Sequence, residues 1–443
     1  MNDETARPAG PDWAALPGEA PPRPFPRTAV DRIAALAFYL VGYLYVRLVL
    51  DASARWETGV FTLVFATAVL AYLLATGVRP PAFSWFWLAV TACLGLSYLL
   101  FPNASLLGFD GLALHAAAMY WALCAGGRSL RGRTSYLLPA DLCTAFLLAP
   151  FGNFFALIRC LFGGWKLRRE GLGRRILAVA AGAAALVLVL LVVGPQLAAA
   201  DAQFAGLLDR LGRLLRLELR VDWFSLLLAV PVASYLFGHG YGAAHGRHTD
   251  HFTPDALAQA GRRCRVVPSV TIYIVLGGVC VVYGVFIGLQ AQHLFSAFAG
   301  RLTGTAVYSQ FAREGFFELC RVAAVNGLLL LAADLLAVRG RADSRALGWW
   351  NVALSLLTLL ILASAASKMV LYIQAYGLTA KRVLTMAFMA MLAVLFGGTA
   401  VWQRRRFDVV RVSVVFAAAL FCLLALCNLD GLIAAYNAAH GFG

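Results

Sequence analysis

The hydrophobic residues of this chain are grouped in long runs that are separated by short polar segments. Most runs hold roughly 18 to 25 residues, the length that an α-helix needs to cross about 30 Å of hydrocarbon. The runs are apolar on every side and do not alternate with period two, so they predict helices rather than the strands of a membrane barrel. The predicted spans are residues 33–50, 59–77, 83–100, 111–126, 175–199, 223–238, 268–290, 316–338, 346–366, 384–401 and 411–428.

The composition of the chain also indicates a membrane protein. Of its 443 residues, 61% are hydrophobic and 13% are charged, and the mean hydropathy is +0.76. A soluble domain carries about 25% charged residues, so the composition excludes that class. We therefore predict an all-α, polytopic transmembrane helix bundle of about 11 spans. It would include one re-entrant or interfacial helix pair and an interfacial amphipathic helix at 204–223.

One apolar run, residues 138–166, is interrupted near its middle. Pro150, Gly152 and Asn153 stand where a membrane helix would be continuous, and Arg159 follows them. Basic residues flank both ends of the run, so the positive-inside tendency places both ends on the cytoplasmic side. The pattern predicts a segment that enters and leaves on one side. Broken helices often mark substrate sites in transporters, but a purely structural interfacial hairpin would have the same pattern.

The basic residues set the expected orientation of the chain. Its 37 Lys and Arg outnumber its 22 Asp and Glu, which gives a formal net charge of +15. With the N-terminus in the cytoplasm and the C-terminus outside, most of these cations fall in the N-terminal tail and in inside loops. Attraction to an anionic inner leaflet explains the charge, so we expect the lipid bilayer as partner and no nucleic acid.

The chain divides into three predicted regions. Residues 1–31 are rich in proline and poor in hydrophobic residues, which is typical of a disordered tail, here a cytoplasmic one. Residues 32–136 form a predicted four-helix membrane region. Residues 137–443 form a second predicted membrane domain, which begins with the re-entrant segment.

The familiar signatures of enzymes are absent from the sequence. There is no P-loop, no G-x-S-x-G elbow, no H-E-x-x-H helix and no G-x-G-x-x-G fingerprint. The 9 cysteines stand singly and are typical of small buried hydrophobic residues. We therefore predict no catalytic residue, no cofactor and no metal site, and we do not favour an enzyme. The imidazoles of His245, His248 and His251 could bind a metal, but a solvated glycine-rich loop would also contain them.

Three motifs in the second half resemble a known family. They are YSQFAREGFFELCRVAAVN (308–326), SKMVLYIQAYGLTAKRV (367–383) and NLDGLIAAYN (428–437). In this order they resemble the bacterial membrane family DUF4173, a domain of unknown function, and its relative DUF4153. The resemblance covers roughly residues 140–443 and implies a multi-pass protein of the bacterial cytoplasmic (inner) membrane, without an assigned reaction. Lys368 stands where this family usually has arginine, so bidentate pairing to a carboxylate would be lost.

The second motif places three polar residues on one helix face. Lys368, Tyr372 and Tyr376 recur every four residues. We expect the helix to end at Gly377, which tolerates the left-handed conformation, and Thr379 to cap the next helix. In one interpretation Lys368 extends to the lipid headgroups beside an interfacial tyrosine belt. In the other it faces the bundle and pairs with an acidic group on another helix.

The predicted span at 316–338 carries four polar residues. Glu318 and Arg321 are three residues apart and can neutralise each other. Asp334 falls on nearly the opposite side of the helix, where nearby arginines can pair with it, and Asn326 lies between. Ionisable residues within spans cost about 2.5 to 3.5 kcal/mol on insertion scales and usually face protein or water. All four are therefore candidates for an intramembrane polar site.

Two classes of function fit these features. The intramembrane polar residues and the broken segment favour a carrier or channel for an ion or small solute. The missing catalytic signatures and the basic inner loops favour a membrane sensor or scaffold with a cytoplasmic or membrane protein partner. We prefer the first class.

Overall fold

A computed structural model describes residues 25–51, 55–101, 106, 108–163, 223–296, 308–338 and 343–442. For 290–296, 308–320 and 343–344 it describes the helical backbone alone. The described chain is helical, and within it the one β-type pairing is an isolated bridge between Val267 and Ala337. The prediction of an all-α helical bundle is confirmed. Three predicted features lie outside the described residues, namely most of the tail at 1–31, the span at 175–199 and nearly all of the amphipathic helix at 204–223.

The first four helices pack in chain order, each against the next. Short connections between long apolar helices favour this antiparallel arrangement. Helix α1 begins with a capping box, in which the Thr28 hydroxyl accepts from the Asp31 N–H and the Asp31 carboxylate accepts from the Thr28 N–H. The bounds are α1 Ala29–Tyr45, extended by a wider π-helical turn at Val46–Leu50, α2 Arg55–Ala75, α3 Ala82–Leu100 and α4 Phe109–Ala125.

The interrupted run folds as a series of short helices. Proline at position 150 has no N–H to donate to the carbonyl four residues earlier, which belongs to Phe146. That carbonyl accepts a hydrogen bond from the Tyr235 hydroxyl at 3.0 Å, so the freed backbone group is satisfied by another helix. The bounds are α5 Leu138–Cys143, a π-helical turn at Thr144–Leu148, α6 Ala149–Gly152 and α7 Ala156–Phe162.

Helix α8, Trp223–His245, packs along α1 and extends beyond the predicted span at 223–238. The expectation that the chain leaves the helix after residue 238 was wrong. The glycines at 238, 240 and 242 resemble helix breakers in the sequence, but in the bundle they let other segments approach closely. The loop therefore begins only after His245.

The last turn of α8 lies beside the first turn of α1 and the end of α4. His245 contacts Asp31, and a Cβ on Gly126 would lie 2.5 Å from the carbonyl oxygen of Ala243. We call this the proximal end of the bundle and the opposite one the distal end. The positive-inside tendency predicts that the proximal end is the cytoplasmic one.

Both ends of the α5–α7 segment contact the proximal end. Near its start, the Asp141 carboxylate accepts from the backbone N–H of Leu130, just after α4, at 2.9 Å. Near its finish, the Arg27 guanidinium donates to the carbonyl of Cys160 at 3.1 Å, just before α1. The segment therefore leaves the region of α4 and arrives beside α1 at the same end of the bundle.

The remaining helices form the second half of the described chain. Helix α14, Val409–Leu426, packs against α3 and joins the two halves. Gly377 has φ +78°, and the Thr379 hydroxyl accepts from the N–H of Arg382, so the predicted end and cap at this corner are confirmed. The bounds are α9 Pro254–Arg263, α10 Ser269–Ser296, α11 Tyr308–Leu336, α12 Asp343–Tyr376, α13 Ala380–Trp402, α14 Val409–Leu426 and α15 Leu429–Ala439.

Within the described residues, 9 helical segments are long and apolar enough to cross a membrane. All but one coincide with predicted spans, and the exception is the interrupted segment Leu138–Phe162, which qualifies by length and composition. Two further predicted spans are also helical: 111–126 corresponds to the 17-residue α4, and 316–338 largely coincides with part of α11. The multi-pass architecture is therefore confirmed.

Candidate functional site

The most densely hydrogen-bonded buried charge in the described chain is Asp31, at the proximal end. Its side chain is fully buried. One carboxylate oxygen accepts from the Tyr72 hydroxyl at 2.7 Å and from His245 Nε2 at 2.8 Å. The other accepts from the backbone N–H and the hydroxyl of Thr28, at 2.7 and 2.8 Å. Four donors satisfy the carboxylate, which stabilises its ionised form inside the bundle.

Helices α1, α2 and α8 each supply one member of this cluster, which we call the Asp31 cluster: Asp31, Tyr72 and His245. The Tyr72 hydroxyl also lies 3.4 Å from His245 Nε2, so the three polar groups meet at one point. The side chain of His245 is 16% exposed, while that of Asp31 is 0% exposed. Histidine is therefore the member through which a proton from solvent would reach the carboxylate.

Basic residues surround the proximal side of the cluster. The guanidinium groups of Arg159 and Arg247 lie 5.7 and 5.4 Å from the ring centroid of Phe25. The ring of Phe25 stacks on that of Tyr241 at 5.1 Å, and the Tyr241 hydroxyl donates to the carbonyl of Pro26 at 2.5 Å. The segment that precedes α1 therefore closes over the end of α8. Arg159, which the sequence placed in the broken segment, belongs to this cover.

The broken segment packs against the face of α8 that carries Gly238 and Gly242. A Cβ on Gly238 would lie 2.7 Å from the carbonyl oxygen of Pro150, and one on Gly152 would lie 2.5 Å from the His248 ring. The amide of Asn153 donates to the carbonyls of Ala149 and Arg247, both at 2.9 Å. Pro150, Gly152 and Asn153 therefore join α6 to the end of α8, and the described structure gives each a packing role.

A second histidine of α8 lies deeper in the bundle. His239 is fully buried, and its Nε2 donates to the carbonyl of Met119 at 3.0 Å. Its Nδ1 has no hydrogen-bond partner among the described residues. A buried imidazole nitrogen without a partner is uncommon, because an unmade hydrogen bond costs about 1 to 3 kcal/mol.

The histidines after α8 stack on each other, with ring centroids of His248 and His251 5.7 Å apart. Burial lowers the pKa of His248, the neighbouring His251 and Arg247 lower it further, and Asp250 raises it. His248 is therefore mostly neutral at pH 7. Within the described residues, no group of three or more His, Cys, Asp or Glu side chains is placed to hold a metal ion.

Asn326 of α11 lies at the centre of a buried polar contact in the second half. Its side-chain oxygen accepts from the Tyr283 hydroxyl of α10 at 2.8 Å. Its amide donates to the Thr358 hydroxyl of α12 at 2.8 Å, and that hydroxyl donates to the carbonyl of Leu354. One side chain therefore connects three helices through hydrogen bonds.

Replacing Asn326 with alanine is expected to lower the free energy of unfolding in detergent by about 1 kcal/mol, since interhelical hydrogen bonds in membranes are worth roughly 0.6 to 2 kcal/mol. Titration with a denaturing detergent measures this change. Ser367→Ala is the control, because the Ser367 hydroxyl donates within its own helix, to Ser364. Equal losses in the two variants would contradict the interhelical role.

Asp334 lines a small cavity between α11, α12 and α13. The cavity volume is about 20 Å³, room for a single water molecule. Asn351 Oδ1 and Gln403 Nε2 also line the site, and neither atom has a hydrogen-bond partner among the described residues. Arg406 is a further lining residue. A bound water would accept from Gln403 and donate to Asn351, so the site fits water better than a metal ion.

Among the predicted intramembrane residues whose side chains the structure describes, Asp334 and Lys368 do not share a site. Lys368 is half-buried and stands 17 positions after Asn351 on α12, roughly 26 Å of helical rise from the Asp334 cavity. Arg321 is exposed on α11, and the side chain of Glu318 lies outside the described residues. Asp334 and Lys368 are therefore not partners of each other.

The tyrosines that follow Lys368 pack at the helix corner. The rings of Tyr372 and Tyr376 lie 5.3 Å apart, and the Arg382 guanidinium covers Tyr372 at 4.1 Å. The same guanidinium donates to the carbonyls of Tyr376 and Gly377. Arg382 therefore caps the end of α12, and the two tyrosines contact this cap.

Comparison with protein-family models assigns residues 88–442, most of the chain, to the domain of unknown function DUF4153. The chain belongs to this family. The match confirms the relationship to DUF4153 expected from the three motifs and begins well before residue 140. Within the DUF4153 range lie α4, α8, the broken segment and the Asn326 contact, whereas Asp31 and Tyr72 precede it. Searches of the curated proteins and of the solved structures find no match.

Sequence reasoning missed Asp31 and Tyr72 and assigned His245 to a loop. One signal was present: Thr28 and Asp31 have the spacing of a capping box just before an apolar run. That signal marks the start of a helix, but it does not show that the carboxylate also faces two other helices.

Proposed function

We propose that this protein is a carrier or channel for an ion, and that the ion is the proton. The Asp31 cluster carries the proposal, since it joins a carboxylate, an imidazole and a phenol by hydrogen bonds inside a membrane bundle. Intramembrane Asp and His residues are expensive to bury and mark proton relays in pumps and transporters. Lipid-facing packing alone would not select such groups.

The cluster can pass a proton by ordinary acid–base chemistry. The imidazole of His245 can take up a proton on Nδ1 and deliver the proton on Nε2 to the Asp31 carboxylate, 2.8 Å away. The carboxylate then becomes a carboxylic acid and the imidazole returns to its neutral form. The neutral imidazole now carries its proton on Nδ1. The buried carboxyl group then passes its proton to a further acceptor, and the imidazole proton moves from Nδ1 back to Nε2, by ring rotation or exchange with water, before the cluster returns to its starting state.

Two further histidines, His239 and His115, lie farther toward the distal end than His245 does. His239 precedes His245 by six residues on α8, roughly 9 Å of helical rise. His115 precedes Met119 by one turn of α4, and the Met119 carbonyl accepts from His239. The three histidines therefore lie at successive depths, which supports a path through the first half of the bundle. We propose that the proximal end faces the cytoplasm of a bacterial cell and that residues 138–166 re-enter there.

A second candidate, a membrane sensor of pH, is favoured by one observation. Aromatic rings, and not polar groups, continue the face of α8 that carries His245: Tyr241 lies 4.5 Å from the His245 ring, and Phe237 lies 5.7 Å from Tyr241. A proton that reaches Asp31 would then loosen the α1–α8 contact without passing further. A measurement of proton flux distinguishes the proton conduit from the pH sensor.

Proton flux into proteoliposomes tests the proposal. Vesicles contain the pH dye pyranine, and a potassium gradient with valinomycin sets the membrane potential. The wild type is expected to move protons faster than protein-free vesicles, and His245→Gln to reduce the flux at least about tenfold, a typical loss when a proton-transfer group is removed. His251→Gln is the matched control, because His251 is exposed and outside the Asp31 cluster.

Flux in the wild type equal to that of protein-free vesicles would contradict a proton conduit. A pH-dependent change in tryptophan fluorescence that is lost in His245→Gln, without flux, would instead support the sensor. Equal flux in His245→Gln and the wild type would show that the path lies elsewhere in the protein.

A further inference from the structure

A cavity in the distal half of the first four helices and α8 has a volume of about 340 Å³. Small-molecule sites have volumes of roughly 300 to 1,000 Å³ and mostly apolar walls with a few polar groups. We propose that this cavity is a binding site for a small, uncharged, mainly apolar solute with one hydrogen-bonding group. The site goes beyond the proposed function, because solute binding there does not require proton movement.

The walls of the cavity are chiefly apolar. Phe61 and Phe65 of α2, Leu114 and Met119 of α4, and Leu236 of α8 line it. A flat or branched hydrocarbon group would contact these side chains and lose its exposure to water, which is worth about 25 cal/mol per Å² of apolar surface. The bulk of the ligand is therefore apolar.

The polar groups on the wall are mostly engaged already. The Thr62 hydroxyl donates to the carbonyl of Thr58 at 2.8 Å, and the Thr58 hydroxyl donates to the carbonyl of Leu48 at 3.4 Å. His115 differs, since its ring contacts are the aromatic rings of Tyr45 at 6.4 Å and Phe146 at 6.0 Å. Its imidazole can give or accept one hydrogen bond with a bound solute, beside the ring of Tyr45, whose residue also lines the cavity.

The charges of the ion pair next to the lining residue Tyr98 neutralise each other. The Arg55 guanidinium forms an ion pair with the buried Asp110 carboxylate and lies 4.3 Å over the ring of Tyr98, which lines the cavity. A charged solute would find neither a net charge nor an unpaired ion to oppose it there. An uncharged solute would meet no such desolvation cost.

Two π-helical turns shape the wall around His115. The turn at Val46–Leu50 supplies Val49 to the cavity, and the turn at Thr144–Leu148 places Phe146 behind the imidazole. Single π-helical turns inside α-helices are rare and occur frequently at functional sites, because they widen the helix and redirect side chains. Both described π-helical turns of the chain are next to this cavity or its histidine.

Photolabelling of the purified protein in lipid vesicles tests the site. The probe is trifluoromethyl-phenyl-diazirine, an uncharged aromatic molecule, and mass spectrometry identifies the labelled residues. We expect saturable labelling of the α2 and α4 residues that line the cavity, displaced by benzyl alcohol. No ion gradient is present, so the result does not depend on proton transport.

Two pairs of measurements make the test specific. Ala118→Phe, which fills the cavity, is expected to remove the saturable labelling, and Ala116→Phe on the same helix, outside the lining, to keep it. Benzyl alcohol is expected to compete roughly fivefold better than toluene in the wild type, the effect of one hydrogen bond, and equally with it in His115→Phe.

The second comparison does not require Ala118→Phe to fold. Labelling that never saturates, or that oleic acid displaces while benzyl alcohol does not, would show that lipid chains occupy the cavity and would overturn the proposal. Equal competition by benzyl alcohol and toluene in the wild type would also overturn it.

Discussion

Replacing Asp31 with asparagine is expected to lower the free energy of unfolding in detergent by about 3 kcal/mol, the cost of removing one partner from a buried, charged hydrogen-bond network. Each oxygen of the carboxylate accepts from two donors. An amide would place its own N–H groups against one of those donor pairs. The hydroxyl of that pair would have to turn and accept, and the charge-assisted hydrogen bonds on that side would be lost. The same variant is expected to lose proton flux.

The control for this prediction is Asp51→Asn, close to the other end of the same helix. Asp51 pairs with Arg47 at 3.0 Å, and both side chains are exposed, at 66% and 44%. Exposed ion pairs contribute about 0 to 1 kcal/mol, so this variant is expected to unfold close to the wild type. Denaturing-detergent titration followed by circular dichroism measures both. If the Asp31→Asn variant is as stable as the Asp51→Asn variant, the Asp31 cluster does not stabilise the bundle.

Replacing Gly42 with alanine is expected to destabilise the bundle by about 2 kcal/mol, the typical cost of forcing an extra carbon into a packed interface. A Cβ on Gly42 would lie 2.7 Å from both the backbone nitrogen and the Cβ of Ala233 on α8. Backbone atoms cannot move aside as a flexible side chain can. The variant is therefore expected to separate α1 from α8 and to weaken the contact between Asp31 and His245.

Gly278 of α10 provides the matched control. It is exposed, and a Cβ there would meet nothing within 4 Å. Gly278→Ala is expected to be neutral or up to about 1 kcal/mol more stable, because alanine favours the helix more than glycine does. Thermal unfolding by intrinsic fluorescence compares the two. If Gly278→Ala lowers the stability as much as Gly42→Ala does, the close approach of α1 and α8 is not the cause of the destabilisation.

The helices and one of their corners could be predicted from the sequence because local chemistry determines them. The described apolar runs of membrane-spanning length are helices, and the glycine and threonine at 377 and 379 end α12 and cap α13 as expected. Asn326 was singled out as a buried polar group, and it lies at a three-helix contact. These features depend on a few neighbouring residues.

The Asp31 cluster could not be predicted, because its members are distant in the chain. Asp31 and His245 are 214 positions apart, and only packing brings α1 and α8 together. The glycines of α8 indicated a loop when read alone, because glycine is unfavourable inside an isolated helix. In the folded bundle these glycines leave room for Pro150 and Asn153, which occupy the space that larger side chains on α8 would fill.

The distal cavity was also beyond prediction. Its histidine, His115, stands alone in an apolar run, and its ring contacts come from Tyr45 and Phe146 on two other segments. The π-helical turns that shape its wall leave no simple sequence signature. A cavity between helices depends on how the side chains of several helices fit together. The periodicity of residues along one helix does not reveal that fit.

The central claim is that the Asp31 cluster takes up and releases a proton inside the bundle. Infrared difference spectroscopy of the protein in lipid, with isotope-labelled aspartate and a step in pH, observes that proton on the carboxyl group. We predict a shifted carbonyl band of a protonated aspartic acid that appears in the wild type, persists in Asp51→Asn and is absent from Asp31→Asn. A wild-type spectrum without an Asp31-dependent band across the pH range in which the protein stays folded would contradict the claim.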